Sequence, residues 1–242
     1  MNYKLPKHAR ELVLYQRTGL LPRNNVSIIK KILKRLRVLD RNKEYKKFVK
    51  NTANDEAFNL DIKYFSEMKI KVDSIINHIP KRTSSILDIG CGIAGLDLLL
   101  NEYFNFSKIY LLDKTKIEEK IWYGFKETGA FYNSLELAKE TLVLNKVEEK
   151  IIELIDAPNN GFIALKKETV DLVVSTISWG FHYPIDFYLK SVFNLLNKKG
   201  LVILDLRLGK NTEKEMNDLS KKFHVDVISE GDKMQTIKCS KR

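Results

Sequence analysis

The chain has 242 residues, 44% hydrophobic and 30% charged, with 42 Lys and Arg against 31 Asp and Glu for a formal net charge of +11. That composition excludes a collagen-like or low-complexity chain and one too polar to fold, and suits one domain with an appendage or two small domains. No run approaches the roughly 18 apolar residues of a spanning helix, the charged N-terminus is unlike a signal peptide, and Cys91 and Cys239 are far apart with no CxxC; the expectation is a cytoplasmic protein without a disulfide framework or zinc site.

Residues 1–50 carry 15 Lys and Arg against three acids, Glu11, Asp40 and Glu44, so the basic surplus belongs to one segment. Apolar spacing predicts helices over residues 9–16, 26–39 and about 59–79. In the second, Ile28, Ile29, Ile32, Leu33, Leu36 and Leu39 form a stripe, and Lys30, Lys31, Lys34, Arg35 and Arg37 fill much of the remaining wheel. Such a helix packs its stripe on its own chain, or turns its charge to RNA or to an anionic membrane surface as a peripheral contact. Pro80 and residues 81–84 break the helical pattern. The expected division is a basic helical N-terminal region or cap, residues 1–80, and a second domain, residues 81–242.

Beyond that break, strand patterns at residues 85–89, 108–112, 150–155, 170–176, 200–206, 224–229 and 234–239 alternate with helical ones at 96–103, 135–144, 185–196 and 213–222. Strand-helix-strand repetition calls for a doubly wound, mostly parallel α/β sheet, because parallel strands need crossovers. Only about three residues, 231–233, separate the last two strands, so they form an antiparallel hairpin.

The first strand runs into its helix through Gly90, Gly92 and Gly95, glycines that let the backbone turn tightly and a ligand approach it. Asp113 ends the next strand, where an acid would take a ribose hydroxyl pair. Asp88, two residues before Gly90, narrows the ligand: a carboxylate in this loop repels a pyrophosphate but not a cofactor bearing an ammonium and a sulfonium. With Asp88, Gly90 and Gly92 in this order, and Ala94 where a third glycine usually stands, the chain resembles the class I S-adenosylmethionine-dependent methyltransferases over residues 80–242.

The resemblance implies a seven-stranded Rossmann-like methyltransferase sheet and S-adenosyl-L-methionine as cofactor. It implies that Asp88, Gly90, Cys91 and Gly92 hold the methionine part, Asp113 the ribose hydroxyls, and Asp156 with Ala157 the adenine. The segment from Lys114 to Asn133 is longer than the resemblance leads one to expect and contains Trp122 and Tyr123, read as an aromatic lid over the ribose or as a small added helix.

Ligands sit outside the carboxyl ends of parallel strands, and the fourth strand ends in Ser175-Thr-Ile-Ser-Trp-Gly-Phe-His-Tyr-Pro184. Methyl transfer to a hydroxyl needs alignment and a base, and His182 is the histidine at this end of the sheet. Trp179, Phe181 and Tyr183 are candidates for stacking on an acceptor, and Arg207 for orienting it. The Asp/Asn-Pro-Pro-aromatic motif of amino-directed adenine methyltransferases is absent, and no carboxylate cluster marks a metal site, so no essential metal is expected. The leading reading is methyl transfer to a hydroxyl of a small polar or sugar/glycan-type acceptor. An RNA methyltransferase using the basic N-terminal region, and a catalytically inert binding module on the same fold, are the rivals.

Overall fold

The computed structural model describes residues 2–21, 41–117 and 132–242; the helix expected over residues 26–39, Trp122 and Tyr123 lie outside the described residues. Three helices precede the sheet: α1 (Lys7–Gln16), α2 (Arg41–Asp55) and α3 (Ala57–Ile75). The helix α2 was not expected from the sequence. Its apolar positions Tyr45, Phe48, Val49 and Ala53 have helical spacing, yet lysines surround them, and their burial comes from tertiary contact: the Tyr45 ring lies 6.2 Å from Tyr15 of α1 and 6.4 Å from Phe48.

The sheet follows. Strands β1 (Ser85–Ile89), β2 (Lys108–Asp113), β5 (Ile152–Asp156), β6 (Val170–Ser175) and β7 (Leu196–Arg207) alternate with α4 (Gly95–Phe104), α5 (Leu135–Leu144) and α6 (Ile185–Leu195). After β7 come α7 (Thr212–Ser220), β8 (Phe223–Glu230) and β9 (Met234–Lys241). The strand order is β5-β2-β1-β6-β7-β9-β8. Six strands run one way and β9 runs antiparallel to both its neighbours. The crossover through α7 carries β8 past β7, and the short turn after it drops β9 into the gap, which is how the expected hairpin closes the sheet.

Residues alternate between the two faces. Ile86, Ile109, Leu111, Leu172, Val174 and Ile203 join α4, α5 and the three N-terminal helices in one apolar core. Leu87, Ile89, Tyr110, Val173, Val202 and Leu204 join α6 and α7 in the other. Residues N-terminal to β1 therefore complete one side of the sheet's own core.

Two buried polar contacts fix them there. Arg10 of α1 donates two hydrogen bonds to Asp61 of α3, at 2.8 and 2.7 Å. Lys71 of α3 reaches across to Asp205 of β7 at 2.5 Å and to the Thr236 hydroxyl of β9 at 2.9 Å, while that hydroxyl donates to Asp205 at 2.7 Å. At the amino end of the sheet Asp171 accepts from the Ser84 N–H at 2.9 Å and the Asn197 amide at 2.6 Å, which holds its carboxyl below the usual range despite partial burial and makes it a structural group remote from the site. Removing one partner of a buried pair strands the other charge. Asp61→Ala should therefore lower stability by about 3 kcal/mol, read as a shift of the urea unfolding midpoint at unchanged slope.

Candidate functional site

The site is built where β1 becomes α4. Gly90 and Gly92 take φ of 84° and 56°, and Ala94 takes φ 56° as the residue capping α4. Only glycine enters the left-handed region freely; alanine there costs about 1 kcal/mol, which is the physical content of the missing third glycine. A side chain at Gly90 would stand 2.3 Å from Ser178 Cβ. The loop after β6 is therefore pressed against the turn, and that closeness is possible only because residue 90 has no Cβ.

The turn is tied to β2. The Gly90 N–H donates to the Leu112 carbonyl at 2.7 Å, and the Asp113 carboxylate accepts from the N–H groups of Gly92 at 2.9 Å and Lys114 at 2.6 Å. Burial still dominates at Asp113 and raises its carboxyl to about 6, those two N–H groups and Asn133 opposing the shift. Asp156 stands in register beside Asp113 with its side chain exposed, and the Ala157 N–H donates to the Asp113 carbonyl at 3.0 Å. A cavity of about 250 Å³ opens at these strand ends, lined among others by Gly90, Asp113, Lys114, Ala157, Ser178 and Tyr183. Of the expected cofactor residues it brings together Gly90, Asp113 and Ala157; Asp88, Cys91 and Gly92 lie in or behind the turn.

Asp88 is 2% exposed, and its Oδ1 has no hydrogen-bond partner. Next to it is Asp97, in the first turn of α4, fully buried, and the two carboxyls hydrogen-bond each other. Burial first, and the Asp97 charge second, push Asp88 well above the ordinary carboxylate range; burial raises Asp97 to about 7. Cys91, also buried, has its thiol pushed up and is unreactive in this setting. Asp97 was missed at the sequence level, although the signal was present: it is the single acid among the apolar residues Leu96 to Leu100. Asn133, 3% exposed beside Asp113, was missed as well.

The N-terminal helices lie on the same turn. Gln16 at the end of α1 stands 3.3 Å from where a Gly92 side chain would begin, and the Gly95 N–H donates to the Tyr64 hydroxyl of α3 at 3.2 Å.

On the acceptor side one expectation needs correction. Trp179 is fully buried: its indole N–H donates to the Ile185 carbonyl at 2.9 Å, and its own N–H donates to Ser175 Oγ at 2.9 Å. It packs the loop and is not available to stack on an acceptor. The Ser178 carbonyl accepts from the N–H groups of Phe181, His182 and Tyr183 at 2.8 to 3.1 Å, so these three residues share one tight turn. His182 is half-buried with the Phe181 ring 5.3 Å away, and Arg207 lies over Phe181 at 5.8 Å. Tyr183 lines the cavity, whereas Phe181, His182 and Arg207 do not. Ile177, β-branched, sits at φ 60°, a strained conformation. Of the long segment after Asp113, the described ends pair as a short antiparallel ribbon, β3 (Lys116–Ile117) with β4 (Tyr132–Asn133). Its expected aromatic lid residues fall outside the described residues.

No family model matches the sequence, and no curated protein matches it. Solved structures do match by shape. A SAM dependent methyltransferase from Aquifex aeolicus aligns at 15% identity, covering 72% of this chain and 97% of that one, with a TM-score of 0.50. The PH0226 protein from Pyrococcus horikoshii aligns at 15% identity over 74% and 91% with a TM-score of 0.52. The YcgJ protein from Bacillus aligns at 11% identity over 72% and 97% with a TM-score of 0.53. The likeness is one of fold, and that fold is the class I Rossmann-like methyltransferase fold.

The buried acids make stability depend on pH in a defined direction. The unfolded carboxyl titrates near 3.8, whereas folded Asp97 titrates near 7, so its favourable contribution is complete below the lower value and is lost as pH rises through the higher. Asp97→Asn should come within about 1 kcal/mol of the parent chain at pH 4.5, just above the unfolded value, and be more stable by a few kcal/mol at pH 8.5, as measured by thermal unfolding in matched buffers.

Proposed function

We propose that this chain is an S-adenosylmethionine-dependent methyltransferase acting in the cytoplasm on a hydroxyl of a small polar or sugar/glycan-type acceptor. The observation that carries the reading is the set of acids at three neighbouring strand ends, Asp88, Asp113 and Asp156, around a glycine turn beside an open cavity. A dinucleotide's pyrophosphate would meet the Asp113 carboxylate at the cavity, where Lys114, whose ammonium donates to Asn159 at 2.8 Å, is the cation among the described lining residues. A cofactor with an ammonium, a sulfonium and a ribose diol suits them, and its chemistry is an electrophilic methyl group. Asp88, Gly90 and Gly92 hold its methionine part, Asp113 accepts from its ribose hydroxyls, and Asp156 with Ala157 borders its adenine.

The remaining work falls to the chain's own residues. Tyr183 lines the cavity wall, and His182, its neighbour in the same turn though outside that lining, is the proposed base that takes the proton of the acceptor hydroxyl as its oxygen becomes nucleophilic. Arg207 and Phe181, stacked together, orient a polar acceptor. Residues 1–80 cap the turn through Gln16 and Tyr64. The charge surplus of residues 1–50 supports a second reading, an RNA acceptor held through its phosphates.

Asp113→Ala should weaken S-adenosylmethionine binding by about 2 kcal/mol, roughly thirtyfold in Kd, by calorimetry. His182→Ala should lower turnover by about 10²-fold or more and leave that Kd unchanged; a fully active variant would remove the base assignment. Transfer of labelled methyl groups into a fractionated cell extract separates the acceptors: label in glycan or small molecules supports the first reading, label in RNA the second, and binding without label the inert module.

A further inference from the structure

Gly90 and Gly92 take positive φ, whereas Gly95, the first residue of α4, does not. No backbone strain therefore asks for glycine at residue 95, and glycine weakens a helix relative to alanine. What forbids a side chain there is Tyr64 of α3: a Cβ on Gly95 would stand 2.5 Å from the Tyr64 hydroxyl and ring edge. The Gly95 N–H donates to that hydroxyl at 3.2 Å. Of the three glycines of the turn, this one admits a side chain from the N-terminal helices.

The turn needs a brace at this point. Ala94 holds φ 56°, a conformation that disfavours alanine by at least about fivefold in an equilibrium constant, and it puts no side-chain cap on α4. Tyr64 caps the helix from outside, accepting one of the N–H groups that a helix leaves orphaned at its start. Its own position is fixed along α3 on both sides. Three residues before it Asp61 is bound to Arg10 of α1, and seven after it Lys71 is bound to Asp205 of β7 and Thr236 of β9. Those spacings put the three residues on one face of α3, so the helix presents Tyr64, 4% exposed, to the turn as a rigid arm.

Building on the cofactor reading above, we propose that Tyr64 is a positioning residue for the cofactor: it offsets the left-handed strain of Ala94 and keeps the glycine turn in its binding form. Tyr64 lies outside the cavity lining and acts through Gly95, Ala94 and Gly92 on Asp113, whose carboxylate accepts from the Gly92 N–H at 2.9 Å and stands at the cavity. Without the hydroxyl the turn spends part of its time out of that form, and the apparent affinity falls with the competent fraction. The helices before β1 are then part of the binding machinery, with α3 compensating for the alanine that stands where a third glycine usually does.

The test is calorimetric binding of S-adenosylhomocysteine to the full chain. Ala94→Gly is the rescuing substitution, because glycine removes the left-handed strain without replacing the hydroxyl. Tyr64→Phe should bind about fivefold more weakly, Ala94→Gly as the parent does, and the double variant within about twofold of the parent. Gly95→Ala, which favours the helix but takes the place of the Tyr64 hydroxyl, should weaken binding by a similar factor. Asp171→Ala, at the opposite end of the sheet, should lower the unfolding midpoint and leave Kd unchanged, which separates positioning from general loss of stability. Full affinity in Tyr64→Phe or in Gly95→Ala overturns the proposal, as does a loss that Ala94→Gly leaves uncorrected or that Asp171→Ala reproduces; these outcomes leave the cofactor reading standing. A parent chain that does not bind S-adenosylhomocysteine removes that reading, and this inference with it.

Discussion

Everything at the carboxyl end of this sheet depends on one steric constraint: the chain must leave β1, take positive φ at three residues and enter α4 within a few residues, with the loop after β6 pressed against it. Gly90 has no room for a single methyl group, because Ser178 already occupies that place. The N–H groups freed by the turn go to β2, at Leu112 and Asp113. One backbone path therefore fixes the spacing between the first two strand ends, places the Asp113 carboxyl at the cavity and sets how closely the β6 loop approaches.

The same turn concentrates negative charge where solvent is excluded. Leaving a buried carboxyl oxygen without a partner costs free energy, and a chain selected for stability alone would replace Asp97 with another leucine of α4. Asp113 is treated differently: it is nearly as enclosed, but two backbone N–H groups hold its carboxylate in one orientation, with an edge on the cavity. The two environments differ accordingly: the pair behind the turn is sealed from the cavity, whereas Asp113 offers acceptor oxygens at its edge.

The helices before β1 belong to this arrangement rather than to a tethered appendage. They share an apolar core with α4 and α5, Lys71 ties α3 to β7 and β9 through Asp205 and Thr236, and Tyr64 and Gln16 sit directly on the glycine turn.

Alternation of apolar runs made the α/β sheet, its terminal hairpin and the glycine turn legible in the sequence, because strand and helix periods and left-handed turns are local properties of the backbone. Asp88 and Asp113 were legible for the same reason: they end successive strands. Helix α2 was hidden because its stripe is thin and its stability comes from Tyr15 and its other neighbours rather than from its own composition. Whether an aromatic residue packs or binds cannot be read from its identity, and only the fold showed Trp179 sealed beneath its loop. The pairing of Asp88 with Asp97 is likewise tertiary. They stand nine positions apart in sequence, and the turn between strand and helix brings them together, where burial makes two ordinary acids into one shared titrating site.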